Sequence, residues 1–204
     1  MRSADDLTAR ARIRDAALAR FAEQGAGGAT MRDIAERAGV SLALVQYHFA
    51  SKNGLREACD AYVTEYVRAM VQQVADENRL AEPEFVAAAQ QNGPPVLRYH
   101  GRALADGSPG AAALFDELVA LTESALPAGK DARAGAAVFV AMRLGVYVLH
   151  GHLSRALGVD AMSPEGLARI AAAQLEIVAP EFVGASALDQ ARTGLARYRD
   201  GDDG

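Results

Sequence analysis

The residues of this chain best suited to chemistry lie between Thr30 and Lys52. Gln46 carries an amide that can pair with a base edge, commonly adenine, and Leu42 and Ala43 offer apolar surface to a thymine methyl. Thr30, Ser41, Tyr47 and His48 can donate hydrogen bonds to phosphates. Lys52 stands at the start of an expected helix, where its ammonium and the free backbone N–H groups attract an anion. Met31 opens the helix after Thr30 and belongs to the same group. The chemistry is recognition of a polyanion carrying readable edges, that is, duplex DNA.

Those side chains need short, rigid elements to share one surface. Thr30 reads as an N-cap, with Asp33 three residues on favouring the helix N-terminus. A short helix follows over Met31–Ala38 and buries Ile34, Ala35 and Ala38. Gly39 breaks it, and Ser41 caps a third helix, Leu42–His48, with Val45 and Phe49 inward. Helix, glycine turn and helix make a helix-turn-helix, whose second helix enters the major groove. Ahead of it, a first helix over about Asp5–Gln24 shows an apolar face of Leu7, Ile13, Ala17, Leu18 and Phe21, and the Gly25–Gly28 run ends it. That GAGG run is no dinucleotide fingerprint, because no strand precedes it and the spacing is wrong.

The stretch Ile13–Lys52, IRDAALARFAEQGAGGATMRDIAERAGVSLALVQYHFASK, resembles the DNA-binding head of the TetR (tetracycline repressor-like) family. The matching pieces are AAxxxF, the glycine after that helix, T-x-R-D-I-A-x-x-A-G-V-S and Y-H-F-x-S-K. Ala26 stands where an aromatic is common, Ala43 replaces a frequent glycine and Gln46 a frequent tyrosine. The last change puts an amide on the recognition helix. The resemblance implies an all-α homodimer: a three-helix head over residues 1–51, then a helical ligand-binding and dimerisation bundle over 52–199, nine or ten helices in all, with a disordered tail over 200–204.

Beyond the head, a fourth helix is expected over about Lys52–Asn78. A fifth covers Glu84–Gln91, a break falls at Asn92-Gly93-Pro94-Pro95, and a sixth runs to Ala105. A seventh covers Gly110–Ala125. The eighth, Asp131–Leu157, is apolar nearly all round, too much so for one wet face. Ser163 caps the ninth, Pro164–Ala179, and a tenth spans Ala187–Tyr198. By the resemblance the eighth and ninth build the dimer interface, from Phe139, Met142, Val146, Leu149, His150, Leu153, Leu167, Ile170, Gln174, Leu175 and Val178. Tyr62, Tyr66, Arg98, Tyr99, Arg143 and Tyr147 are the pocket candidates, on the fourth, sixth and eighth helices, where the family's cavity lies. A pocket combines apolar wall with a few polar groups.

Composition supports an all-helical chain. Of 204 residues half are apolar, and alanine, the best helix former, supplies 45. Residues 1–52 hold eight basic and six acidic side chains, a balance of +2, while residues 53–204 hold 13 and 20, a balance of −7. A mildly basic head on an acidic body fits an anion-binding module joined to a different one. Cys59 is the lone cysteine, so neither an internal disulfide nor a cysteine zinc site is available. His150 and His152 stand two apart and so on different helix faces; with His100 they carry no expected metal, and no cofactor is expected. The charged N-terminus lacks a secretory apolar core, and Arg133 and Arg143 interrupt the stretch most like a membrane span. A cytoplasmic protein with no membrane role is the expectation. Its partners would be a double-stranded operator, a second copy and an unidentified small-molecule effector. The rival readings are a small helical enzyme, for which no nucleophile elbow or Ser-His-Asp order exists, and a partner-binding helical protein without DNA affinity.

Overall fold

The computed structural model describes residues 4–75, 83–125 and 131–177, and near the C-terminus 189–190, 192–194 and 196–197. Among the described residues there is helix and no strand. The elements are α1 (Ala4–Gly28), α2 (Met31–Ala38), α3 (Leu42–Phe49), α4 (Lys52–Ala75), α5 (Pro83–Ala105), α6 (Pro109–Ala125), α7 (Ala132–Val148), α8 (His150–Leu157) and α9 (Pro164–Ile177). The chain divides into two compact units. Unit 1 comprises Met1–Tyr66 and Pro95–Leu114, and unit 2 comprises Val67–Pro94 and Phe115–Gly204.

Unit 1 is closed by the apolar stripe of α1. Ile13, Ala17, Leu18 and Phe21 are buried, with Ile34 and Ala35 of α2, Val45 and Phe49 of α3, and Leu55, Cys59 and Val63 of α4. The spacings of three and four put each set on one helix face. The glycine run does not simply end α1. The helix bends at Gly25 (φ 71°, ψ 169°) and continues to Gly28. A Cβ at Gly25 would lie 2.6 Å from an Arg102 guanidinium nitrogen, which can swing aside, so it is the backbone angle that requires glycine there. In unit 2, Val119 of α6 packs with Ala136 and Val140 of α7, and Phe115, Leu118, Ala137 and Leu144 close around them.

Two expected boundaries are corrected. The Asn92–Pro95 break does not occur, because α5 is one helix through it. Pro94 and Pro95 lack the N–H groups that would reach back four residues, and an interior proline costs about 3 kcal/mol. Val96, Tyr99, His100 and Ala103 lie buried beyond them. Burying side chains of that size stabilises by about 1.5–3 kcal/mol each, so burial outweighs the lost bonds. Conversely, the single helix expected over 131–157 is two. α7 and α8 meet at Leu149 (φ −97°, ψ 14°) with a bend of 71°. The Leu149 carbonyl accepts from His152 and Leu153 N–H at 2.9 and 3.0 Å and starts the new helix. Leu149 is followed by His150, Gly151 and His152 with no proline to mark a break, so the sequence does not register the bend. Val178, the end of the ninth helix, most of the tenth and the tail lie outside the described residues.

Candidate nucleic-acid interface

The turn between α2 and α3 is built by local hydrogen bonds. The Thr30 hydroxyl accepts from Asp33 N–H at 3.1 Å, and the Asp33 carboxylate accepts from Thr30 N–H at 3.1 Å and from its hydroxyl at 2.7 Å. This reciprocal box satisfies donors that the first helical turn leaves open. The Thr30 hydrogen bonds, aided by the Arg20 and Arg32 charges, hold the Asp33 carboxyl below the usual carboxylate range. Gly39 (φ 63°) closes α2 in the left-handed conformation, with its N–H on Glu36 O and Val40 N–H on Ala35 O. The Ser41 hydroxyl accepts from Leu44 N–H at 3.2 Å and caps α3.

α3 ends abruptly. Ala50 has φ 57° and ψ −46°, and Ser51 N–H donates to Phe49 O across it. That is a γ-turn of positive φ, strained for any residue with a Cβ. α4 then starts close beneath. A Cβ on Gly54 would stand 2.6 Å from the Phe49 carbonyl oxygen.

On the resulting surface Ala43, Gln46 and Tyr47 are exposed, Tyr47 by 75%. A phenol so far in solvent has little packing role in its own chain, which suits a ligand contact better than a core role. His48 is half-buried, with its ring edge-on to Tyr47 at 5.2 Å. Leu42 and Met31 are half-buried, and Thr30 and Ser41 are exposed with their hydroxyls engaged in the caps. Lys52 does more than the sequence suggests. Its ammonium donates to Gly27 O at 3.3 Å and Ala29 O at 3.1 Å. It thus ties the end of α1 to the start of α4, and of its three N–H donors two are engaged there.

Three arginines that sequence reasoning passed over also shape this surface. Arg12 donates to the carbonyls of Ala38 (2.8 Å) and Gly39 (3.2 Å), and the Arg10 guanidinium lies 5.1 Å from the Phe49 ring centroid. In the sequence both look like surface charge. Arg32, exposed on α2, makes no hydrogen bond or ion pair with a described residue, whereas Arg20 and Arg37 both bind Glu23.

The pocket candidates fall into both units. In unit 1, Tyr62 carries the Arg14 guanidinium 3.7 Å above its ring. Tyr99 is buried, donates its hydroxyl to Asp60 Oδ1 at 2.6 Å and leans on Phe21 at 6.2 Å. Burial first, and the Asp60 hydrogen bond second, push the Tyr99 phenol pKa up. Tyr66 and Arg98 are half-buried. A cleft of about 20 Å³, enough for a single water, is lined by Phe21, Arg56, Tyr99, Arg102 and Asp106 among others. His100 beside Tyr99 is buried, which brings its pKa down to about 4. Cys59 is buried too, and burial raises its thiol pKa, so it lacks the thiolate that reactivity needs. In unit 2, Arg143 is exposed and Tyr147 half-buried, with its phenol pKa raised by desolvation.

Of the interface candidates, Met142 and Leu149 are exposed, by 54% and 53%, and Val138 and Val148 beside them are exposed as well. Phe139, Val146, His150, Leu153, Leu167, Gln174 and Leu175 are half-buried, and Ile170 is buried within unit 2 itself. Among the described residues no group of three or more His, Cys, Asp or Glu side chains could hold a metal ion. No single described helix is long and apolar enough to cross a membrane.

Unit 1 therefore presents a helix-turn-helix whose second helix carries an exposed polar face. Residues 13–59 match the family model described as bacterial regulatory proteins, tetR family. It is 41% identical over 136 residues to the HTH-type transcriptional regulatory protein RaaS of Mycobacterium tuberculosis. That match takes in 63% of this chain and 60% of the relative, so the chain spans about 60% of the relative's length. The fold is similar to the crystal structure of a gamma-butyrolactone receptor, an ArpA-like protein, at a TM-score of 0.63 and 19% identity, over 95% of this chain and 99% of that one.

Proposed function

We propose that this protein is a transcriptional regulator that reads a near-palindromic DNA operator as a homodimer, acting in the cytoplasm as a repressor that a small molecule releases. The observation that carries the reading is the outward face of α3. Gln46 and Tyr47 are exposed on a helix held by Val45 and Phe49, at the position from which a helix-turn-helix meets base edges. Gln46 reads a base, Ala43 and Leu42 touch thymine methyls, and Tyr47, His48, Ser41 and Arg32 meet the backbone, while both Thr30 donors stay on Asp33. Lys52 offers its remaining N–H to a phosphate while holding α1. The DNA-binding domain is residues 1–51 and the ligand-binding and dimerisation domain residues 52–199.

Two-fold pairing is supported by α7. Val138 and Met142 stand four residues apart on one face of α7, Leu149 follows at the bend, and all three are exposed and apolar. A second copy covering that face makes an isologous interface and sets two recognition helices for two half-sites. Release requires an effector that binds the two states with different affinity. Tyr62, Tyr66, Arg98, Tyr99, Arg143 and Tyr147 are the candidate effector contacts.

The test is selection of bound duplexes from a random pool, with a Gln46→Ala/Tyr47→Ala double variant as control. The expected result is one near-palindromic site, lost in the variant and bound less tightly as salt rises. Equal recovery with wild type and variant at low salt would sink the reading.

A further inference from the structure

α3 is only eight residues long. Two buried side chains, Val45 and Phe49, seat it in the core. They stand four residues apart and so lie on one line along the helix. Two anchors on a line fix the depth of a helix and the side it turns inward. They resist rocking about that line poorly. Leu42, Leu44 and His48 are half-buried off that line, and α1 adds a polar brace at each end of α3. Arg12 Nη2 donates to Ala38 O at 2.8 Å and to Gly39 O at 3.2 Å, and Nε donates to Ala38 O at 3.3 Å. These carbonyls belong to the turn just ahead of α3. Gly39 and Val40 N–H satisfy the carbonyls of Ala35 and Glu36 but not that of Ala38, so Arg12 completes the closure of α2. At the other end of α3, the Arg10 guanidinium sits on the Phe49 ring, 5.1 Å from its centroid.

The geometry points to Arg10 and Arg12 as positioning residues that set the pitch of α3, and through it the register of Gln46 on the bases. The part concerning bases rests on the DNA-reading function proposed above, whereas the part concerning pitch stands on the unbound protein. Arg12 has a fork geometry that one lysine ammonium cannot reproduce on two carbonyls. Neither arginine needs to touch DNA for this.

The experiment uses the full chain in wild-type, Arg12→Ala, Arg12→Lys and Arg10→Met forms. Amide residual dipolar couplings report the orientation of residues 42–49 against α1 and α9. The expected result is that the α3 couplings of Arg12→Ala depart from the wild-type orientation while those of the other helices hold. Arg12→Lys, which folds with the charge kept, should show a smaller departure in the same sense. On a duplex selected by wild type, Arg12→Ala should lose about tenfold in affinity, the size of one charge-assisted hydrogen bond. Its affinity for unrelated duplex and its salt dependence should be unchanged, which a merely destabilised head would not show. Unchanged couplings in all three variants overturn the proposal. So does an equal loss on selected and unrelated duplex with a salt slope lower by about one, which marks Arg12 as a phosphate contact. If wild type selects no duplex, the DNA-reading function falls, and the couplings still decide whether the arginines set the pitch.

Discussion

The head and the α7 face use their side chains in opposite ways. In the head, cations that could face solvent are turned onto the protein itself. Arg12 and Lys52 close helix ends, Arg14 covers Tyr62, Arg10 covers Phe49, and Arg20 and Arg37 share Glu23. On α7 it is apolar side chains that are left uncovered, Val138, Met142 and Val148 with Leu149 at the bend. A head whose charges are engaged internally still leaves Gln46, Tyr47 and Arg32 exposed, the groups proposed to meet DNA. An apolar helix face in water is favourable only when another surface covers it. Exposure has meaning only against what a side chain could have done. An exposed arginine is ordinary, whereas an exposed row of valine, methionine and leucine is what the proposed two-fold pairing would cover.

The largest expected effect breaks the α7 side of this contrast. Met142→Lys places a charge in the middle of the proposed two-fold interface, and an unpaired buried charge costs several kcal/mol. The dimer should dissociate at least 100-fold more readily by analytical ultracentrifugation, with the monomer's melting temperature unchanged. A variant that stays dimeric at micromolar concentration removes α7 from the interface.

Next comes an acid effect confined to unit 1. His100 has an ordinary pKa of 6.5, brought down to about 4 by burial in the folded chain. The unfolded chain takes up a proton below about pH 6.5 while the folded one stays neutral, so folding stability falls as pH drops from about 6.5 to about 4. The full difference corresponds to about 3 kcal/mol. Urea midpoints across that range should decline in wild type and much less in His100→Leu. A parallel decline in both proteins would assign the acid sensitivity elsewhere.

On the head side, Gln46→Ala should cost about 2 kcal/mol on the selected duplex and relax the preference at one base pair per half-site, read by competition with single-base variants. Uniform weakening on all duplexes would make Gln46 a backbone contact instead.

Smaller is the Thr30 cap. Thr30→Ala should lower stability by ~1 kcal/mol at neutral pH. Because the Asp33 carboxyl titrates below the usual 3.8, its contribution is present above that pH and lost as pH falls through the lower folded value. The gap between wild type and Thr30→Ala in urea midpoint should therefore narrow below about pH 4. The smallest effect has the opposite sign: Ala50→Gly should stabilise by ~1 kcal/mol through relief of the positive φ. Loss of stability there would show that the Ala50 methyl makes a contact worth more than the strain.

Much of the head was legible because its signals are local. Thr30 with Asp33, Gly39 and Ser41 act within three or four residues of themselves, so the caps and the turn of the helix-turn-helix follow from spacing alone. The inward set Ile34, Ala35, Val45 and Phe49 follows from periodicity. Arg10 and Arg12 were illegible because their partners lie 39 and 26–27 residues away, and nothing in an arginine's neighbours announces a distant carbonyl. Lys52 was placed correctly at a helix start, yet its bonds to Gly27 and Ala29 depend on how α1 ends, and that depends on the bend at Gly25.

The sequence by itself determined the helical class, the helix-turn-helix with its outward Gln46 and Tyr47, and the presence of an apolar stretch over 131–157. These are properties of propensity, capping and period, which act along the chain. Tertiary structure alone decided that α5 runs through Pro94 and Pro95, that the apolar stretch bends at Leu149, and which arginines hold α3. Each of these turns on a balance between a local cost and burial or bonding to residues far off in sequence, and that balance has no value until the chain is packed.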